Sequence, residues 1–233
     1  MAAVEETSPA AASAWMPADP APLGLAAFAL TTFMLSGYNA GFIPNVFWVG
    51  LALFYGGLTQ LLAGMWEFRN RNVFGSTAFS SYGGFWLGLG ITVVLLETTK
   101  LGATLTGPND ASNGLAWFLI AFAIFNTYML FWSMRINLAV MGVFLTLEIT
   151  EILLAIGFLV AAHRSVAPLA ANVGWIKAGG WAGIVTAAVA WYTSAAGVVN
   201  GMGPTKVIPV GGPLMGRPGG TARVGSPVPR TGS

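Results

Sequence analysis

The 233-residue chain contains no cysteine, a single histidine and only 8% charged residues, where an ordinary soluble domain carries roughly 25%. Without thiols, disulfides, iron–sulfur clusters and thiolate zinc sites are excluded, and one histidine, His163, leaves too little for an imidazole metal site. The shortage of charge excludes a water-soluble globule. Ten Lys/Arg and eight Asp/Glu cannot cover the surface of a fold in which 55% of residues are hydrophobic, so that surface must face lipid. The surplus of two positive charges is too sparse to suggest a nucleic-acid partner. No nucleophile–His–acid set and no phosphate-binding loop is present, so neither an enzyme nor a bound cofactor is expected, and the reading points to no metal.

What the sequence does contain is apolar runs. A helix needs about 20 residues to cross the hydrocarbon of a bilayer, and six runs qualify: Leu23 to Ala40, Val46 to Glu67, Val73 to Glu97, Leu115 to Met134, Ile136 to Ala162 and Ala178 to Val199. The expected fold is an all-α integral membrane protein with six transmembrane helices, a transport domain over 23–201. Residues 1–22 are Ala/Pro-rich, lack the basic start and apolar core of a signal peptide, and read as a disordered tail. Residues 202–233 hold eight glycines, six prolines, four basic residues and no acid, the composition of a flexible tail.

Lys and Arg are retained on the cytoplasmic side during insertion. With both termini inside, the inner segments carry Arg69, Arg71, Arg135, Lys206, Arg217, Arg223 and Arg230, against Lys100, Arg164 and Lys177 outside. The expected orientation is therefore a multi-pass protein of the cell (cytoplasmic or plasma) membrane with cytoplasmic termini. Trp48 and Trp66 bracket the second span and Trp117 and Trp132 the fourth, as interfacial anchors would. Glu67, Arg69 and Arg71 read as ordinary boundary charges, as do Glu97 and Lys100.

Inside the spans, Gly37 and Gly41, Gly84 and Gly88, and Gly179 and Gly183 each place small residues on one helix face, which permits close packing in lipid. Gly50, Gly57 and Gly64 form a heptad seam near Gln60 that suits either a packed neighbour or a slender pore. Phe28, Thr32, Leu35 and Asn39 share a face of the first helix, with Thr31 beside it. Gln60, Tyr82 and Asn126 add isolated polar groups, each suited to interhelical hydrogen bonding or to a pathway. No Lys or Arg lies mid-span, so a passing anion would meet neutral donors and helix ends, which bind weakly enough for release. The exceptions to a neutral interior are Glu148 and Glu151, three residues apart on the fifth span. A charge there costs about 2.5 to 3.5 kcal/mol, so at least one should be protonated or should face a wet cavity or a neighbouring helix. Either a proton acceptor or a hydrogen-bonded interface pair fits.

The first span opens Asp19-Pro20-Ala21-Pro22-Leu23-Gly24-Leu25, a carboxylate helix cap before a proline. This heptapeptide resembles the Asn-Pro-Ala-Pro-Leu-Gly-Leu signature of the acetate uptake transporters, also called succinate–acetate permeases. Further motifs follow in order: Phe54-Tyr55-Gly56-Gly57 with Gln60, Thr77 to Trp86, Leu153-Leu154-Ala155-Ile156-Gly157, and Val207-Ile208-Pro209-Val210-Gly211. The resemblance covers Asp19 to about Gly212. Asp19 departs from the family's Asn, which preserves capping but places a carboxylate where an amide would greet an anion.

The resemblance implies a homohexamer of six-helix protomers in a lipid bilayer. Each protomer would carry a narrow pathway for acetate or similar small monocarboxylates, with succinate in some members. It implies a constriction of Phe28, Tyr82 and Leu147. With that match Thr31, Thr32, Asn39, Gln60 and Asn126 become candidate substrate donors, Asp19 to Leu25 the motif at the pore mouth, and Glu148 and Glu151 candidates for proton coupling. The expected function is proton-coupled uptake. The alternatives are a passive anion channel for the same substrates and a membrane sensor or scaffold that transports nothing.

Overall fold

The computed structural model describes residues 17–44, 46–98, 108–166 and 173–216. Lys100, Arg217, Arg223 and Arg230, and residues 1–16 and 217–233 of the tails expected at 1–22 and 202–233, lie outside the described residues. Six helices are long and apolar enough to cross a membrane: α1 Ala21–Ala40, α2 Trp48–Arg69, α3 Val73–Thr98, α4 Pro108–Ser133, α5 Leu138–His163 and α6 Gly174–Gly201. All six expected spans are therefore helices. Their bounds differ most at α4, which starts seven residues before the expected Leu115, and at α6, which starts four before Ala178. An apolar run reports the depth of hydrocarbon, whereas the backbone goes on forming helix through polar residues such as Asp110 and Asn113 at the interface.

The helices alternate in direction and form a ring in the order α1, α2, α3, α4, α5, α6, with α6 returning to α1. The starts of α1, α3 and α5 and the ends of α2, α4 and α6 meet on one side, here the terminal side. Small residues set the tightest contacts. At Gly180 of α6 any Cβ would collide with the α1 backbone at Ala40, Ser36 and Asn39, and at Gly83 of α3 it would lie 2.7 Å from the Leu61 nitrogen of α2. Gly84 and Gly88 behave differently: a Cβ at either meets nothing within 4 Å, so this pair faces outward. Between α3 and α4 large rings bridge a wider gap, with Phe85 stacked on Phe118 at 5.0 Å and edge-on to Phe122 at 4.8 Å.

The middle of α2 is a π-helical segment, Phe54–Thr59. One added residue per turn rotates everything beyond it, which separates the glycines read as one heptad seam. Gly64 packs against Ser80, Gly57 packs against Leu87 and the Ala52 carbonyl inside the wide turn, and Gly50 faces open space. After α6, residues 202–216 turn back along the terminal side. Asn200 accepts from the Val207 and Ile208 amides, Ala139 donates to the Val210 carbonyl, Leu214 and Met215 donate to the Met134 carbonyl, and the Tyr192 hydroxyl donates to Pro209.

Candidate functional site

The centre of the ring holds two cavities in line. The larger, about 400 Å3, opens on the terminal side between Asp19, Glu67, Asn72, Asn137, Asn200 and Lys206. The smaller, about 80 Å3, lies toward the opposite side among Thr32, Ser36, Asn39, Trp48, Thr150 and Glu151. Three residues line both cavities: Phe28 of α1, Tyr82 of α3 and Leu147 of α5. Phe28 and Tyr82 meet edge to face at 5.8 Å, and all three are buried. Two aromatic rings and a leucine thus stand where the two hollows adjoin.

Each side chain is placed by its helix's packing. Thr31, the residue three beyond Phe28, donates to the Ala27 carbonyl and fits against Gly56 in the π segment of α2, which aims Phe28 inward. Behind Tyr82 stands Asn126 of α4, wholly buried. The Tyr82 hydroxyl donates to Asn126 Oδ1 at 2.9 Å, and Asn126 Nδ2 donates to the Phe144 carbonyl at 2.9 Å and to Glu148 Oε2 at 2.6 Å. Thr127 donates to the other Glu148 oxygen at 2.8 Å. Four rings, Phe28, Phe85, Phe122 and Phe125, surround the phenol at 5.5 to 6.2 Å.

The remaining sequence candidates divide by position. Gln60 lines the terminal-side cavity, and Thr32 and Asn39 the opposite one. Thr31 and Asn126 line neither; the first is a packing contact with α2 and the second a hydrogen-bonding hub behind Tyr82. In the opening motif, Asp19, Ala21, Pro22 and Leu25 line the terminal-side cavity, Pro20 is buried, Leu23 faces outward and Gly24 lies against Phe79. The helix begins at Ala21, with Pro20 as its cap residue, and the Asp19 carboxylate accepts from the Ala21 amide at 2.9 Å. Glu148 and Glu151 point apart. Glu148 is half-buried, tied to α4 and borders neither cavity, while Glu151 is 2% exposed, borders the smaller cavity, and has no hydrogen-bond partner at either oxygen.

Two residues read otherwise from sequence belong to the site. Glu67, expected as a boundary charge, is 1% exposed and lines the larger cavity. Gly75 of α3 leaves room for its carboxyl group, since a Cβ there would lie 2.6 Å from Glu67 Oε1. The neighbouring Arg69 and Arg71 made it look like a surface charge. Its spacing of seven from Gln60 was the available signal. Trp48, expected as a lipid anchor, is 2% exposed and lines the smaller cavity, because α2 turns it toward α1 and α3. Trp66, Trp117 and Trp132 do face outward. Among the described residues no group of His, Asp or Glu is placed to hold a metal ion.

These features can be set beside known proteins. The profile of the GPR1/FUN34/yaaH family matches residues 5–210. The chain is 43% identical over 201 residues to "Acetate permease A" of Emericella nidulans, covering 83% of this chain but 65% of that protein, so it spans just under two thirds of that relative's length. It is 36% identical over 197 residues to "Succinate-acetate/proton symporter SatP" of Escherichia coli, covering 83% of this chain and 95% of that one. Its fold is similar to the solved structure of the bacterial acetate channel SatP, with a TM-score of 0.73 and 33% identity over 84% of this chain and 99% of the other. A six-helix membrane bundle, two axial cavities, ordered motifs from Asp19 to Gly211 and matches of this extent lead to one statement of kinship: the chain belongs to the GPR1/FUN34/yaaH family.

Proposed function

We propose that this protein carries acetate and related small monocarboxylates across the membrane together with protons, along the two cavities and through the constriction of Phe28, Tyr82 and Leu147. The observation that carries the reading is that these three side chains, and no others among the described residues, border both cavities. The cavities fit a two- or three-carbon acid: the walls are largely apolar, the charged side chains Asp19, Glu67 and Lys206 line the larger cavity, and neutral polar groups stand at Gln60 on one side and at Thr32, Ser36, Asn39 and Thr150 on the other. Names of relatives in the same family, an acetate permease and a succinate-acetate/proton symporter, support the substrate class. Glu151 supports proton coupling, as a buried carboxyl group without a partner beside the pathway. Glu148 reaches the pathway only through Asn126 and Tyr82.

The orientation that fits has the terminal side in the cytoplasm. Among the described residues Arg69, Arg71, Arg135 and Lys206 stand there, against Arg164 and Lys177 opposite. The outward, uncovered Gly84 and Gly88 suit contact between protomers in a homohexamer of the cell membrane.

Radiolabelled acetate uptake into proteoliposomes, with and without an imposed proton gradient, tests the function. Accumulation driven by the gradient is expected, and its absence alongside saturating passive flux would favour the second reading, a passive channel. That reading draws on the related solved protein being described as an acetate channel and on the apolar side chains Phe28 and Leu147 that border both cavities.

A further inference from the structure

The hydrogen bonds behind Tyr82 have a polarity that can be assigned. A backbone carbonyl only accepts, so the Asn126 atom 2.9 Å from the Phe144 carbonyl is the amide nitrogen, whose second hydrogen goes to Glu148 Oε2 at 2.6 Å. Asn126 therefore turns its oxygen to Tyr82, and the phenol must donate its one hydrogen to it. With Asn126 wholly buried and Glu148 braced by Thr127, nothing in this chain of bonds is free to reverse. Tyr82 is thus left with no hydrogen to give to the pathway.

We propose that Asn126, braced by Glu148, is a positioning residue that makes the constriction select the protonated form of the substrate. This rests on reading the cavities as a carboxylic acid pathway. Between the two cavities stand a phenylalanine, a leucine and a tyrosine whose hydroxyl is already engaged. A carboxylate crossing there finds no donor, and an unsatisfied buried anion is costly. A neutral carboxylic acid carries its own donor. The proton enters on the acid and leaves when the acid ionises in water on the far side, so no net charge crosses. The titratable groups that face Tyr82 are Glu148 and Glu151 of α5 and Tyr128 of α4. Of these, Glu151 lines the smaller cavity, Glu148 and Tyr128 line neither, and none borders both.

The test uses acetate uptake into proteoliposomes at external pH 5 and pH 7, with the membrane potential clamped by potassium and valinomycin. Wild-type uptake should track the protonated acid and ignore the potential. Asn126→Leu frees the Tyr82 hydroxyl to donate to a carboxylate, so the pH 7 to pH 5 uptake ratio should rise at least about tenfold, the value of one hydrogen bond to a charged group, and uptake should become potential-sensitive. Adding Tyr82→Phe to that variant removes the freed hydroxyl and should return the ratio toward wild type, a rescue that loss of packing would not give. Potential-sensitive wild-type uptake would overturn the proposal without any variant. An unchanged ratio in folded Asn126→Leu would overturn the role of Asn126 while leaving the transport reading intact. Absence of acetate uptake by the wild type would overturn both.

Discussion

Replacing Gly56 by alanine puts the meeting of α1 and the π segment of α2 under a measurable load. The added Cβ would lie 2.6 Å from Thr31 Oγ1 and 2.8 Å from Thr31 Cβ and Cγ2, whereas ordinary contact begins near 3.4 Å. The two helices must part by roughly 0.6 to 0.8 Å, and overpacking of this kind costs about 1 to 3 kcal/mol. Three contacts under 3.0 Å with a stiff β-branched side chain place the cost in the upper part of that range, about 2 to 3 kcal/mol, and alanine returns about 1 kcal/mol in helix propensity, so the net loss should be about 1 to 2 kcal/mol. A companion substitution, Thr31→Ala, deletes two of the three clashing atoms and should recover about half of that loss in the double variant. Because Thr31 borders neither cavity, Thr31→Ala alone should leave the Michaelis constant for acetate unchanged. The assay is thermal unfolding of the purified protein in detergent, paired with acetate uptake in proteoliposomes. Two results would refute the reasoning: a Gly56→Ala protein as stable as wild type, or a Thr31→Ala protein of normal stability that no longer binds substrate.

Other perturbations probe the pathway itself. Phe28→Ala should join the two cavities and admit larger acids such as butyrate, read as new competition against labelled acetate; an unchanged competitor profile would remove Phe28 from the constriction. Glu151→Gln should remove the part of the pH dependence that is steeper than the concentration of protonated acid, since the acid it replaces has no other partner, and an unaltered pH profile in a folded protein would end its proton role. Asp19→Asn keeps an oxygen for the Ala21 amide but removes a carboxylate from the mouth of the larger cavity, so apparent affinity for acetate should rise at low ionic strength and the gain should vanish near 1 M salt. Gly114→Ala, where a Cβ meets nothing within 4 Å, should stabilise the isolated protein slightly, by up to about 1 kcal/mol, which unfolding in detergent would register.

Much of this architecture is legible in the sequence because lipid imposes a simple rule: an apolar run of sufficient length becomes a helix. Phe28 and Tyr82 could be placed through motifs that surround them, and Leu147 through its offset from Leu153 to Gly157. What stayed hidden depends on rotation about helix axes. The hydrophobic pattern of a helix in lipid is nearly uniform around its circumference, so it does not tell the inside from the outside. That is why Trp48 read as an anchor, Glu67 as a boundary charge, and Thr31 and Asn126 as donors on the path. The π segment compounds this, since no residue in Phe54-Tyr55-Gly56-Gly57 announces that the turn is wide. Gly84 and Gly88 carry the same spacing as Gly179 and Gly183, which pack internally, and only the neighbours of a Cβ distinguish them.

Close backbone contact joins the first helix of the ring to its last, with Gly180 against Ala40 and Ser36, and Ser194 donating to the Pro22 carbonyl at 2.6 Å. During synthesis α1 therefore enters the bilayer long before its main partner exists. Translation at about 5 to 20 residues per second leaves the helix waiting on the order of ten seconds while α2 to α5 are made. Over that interval Ser36, which lies against Gly180 and Gly183 of α6 in the finished fold, faces the bilayer, a chaperone or the translocon instead. A ribosome stalled before Gly174 would leave an open five-helix arc with this face of α1 uncovered.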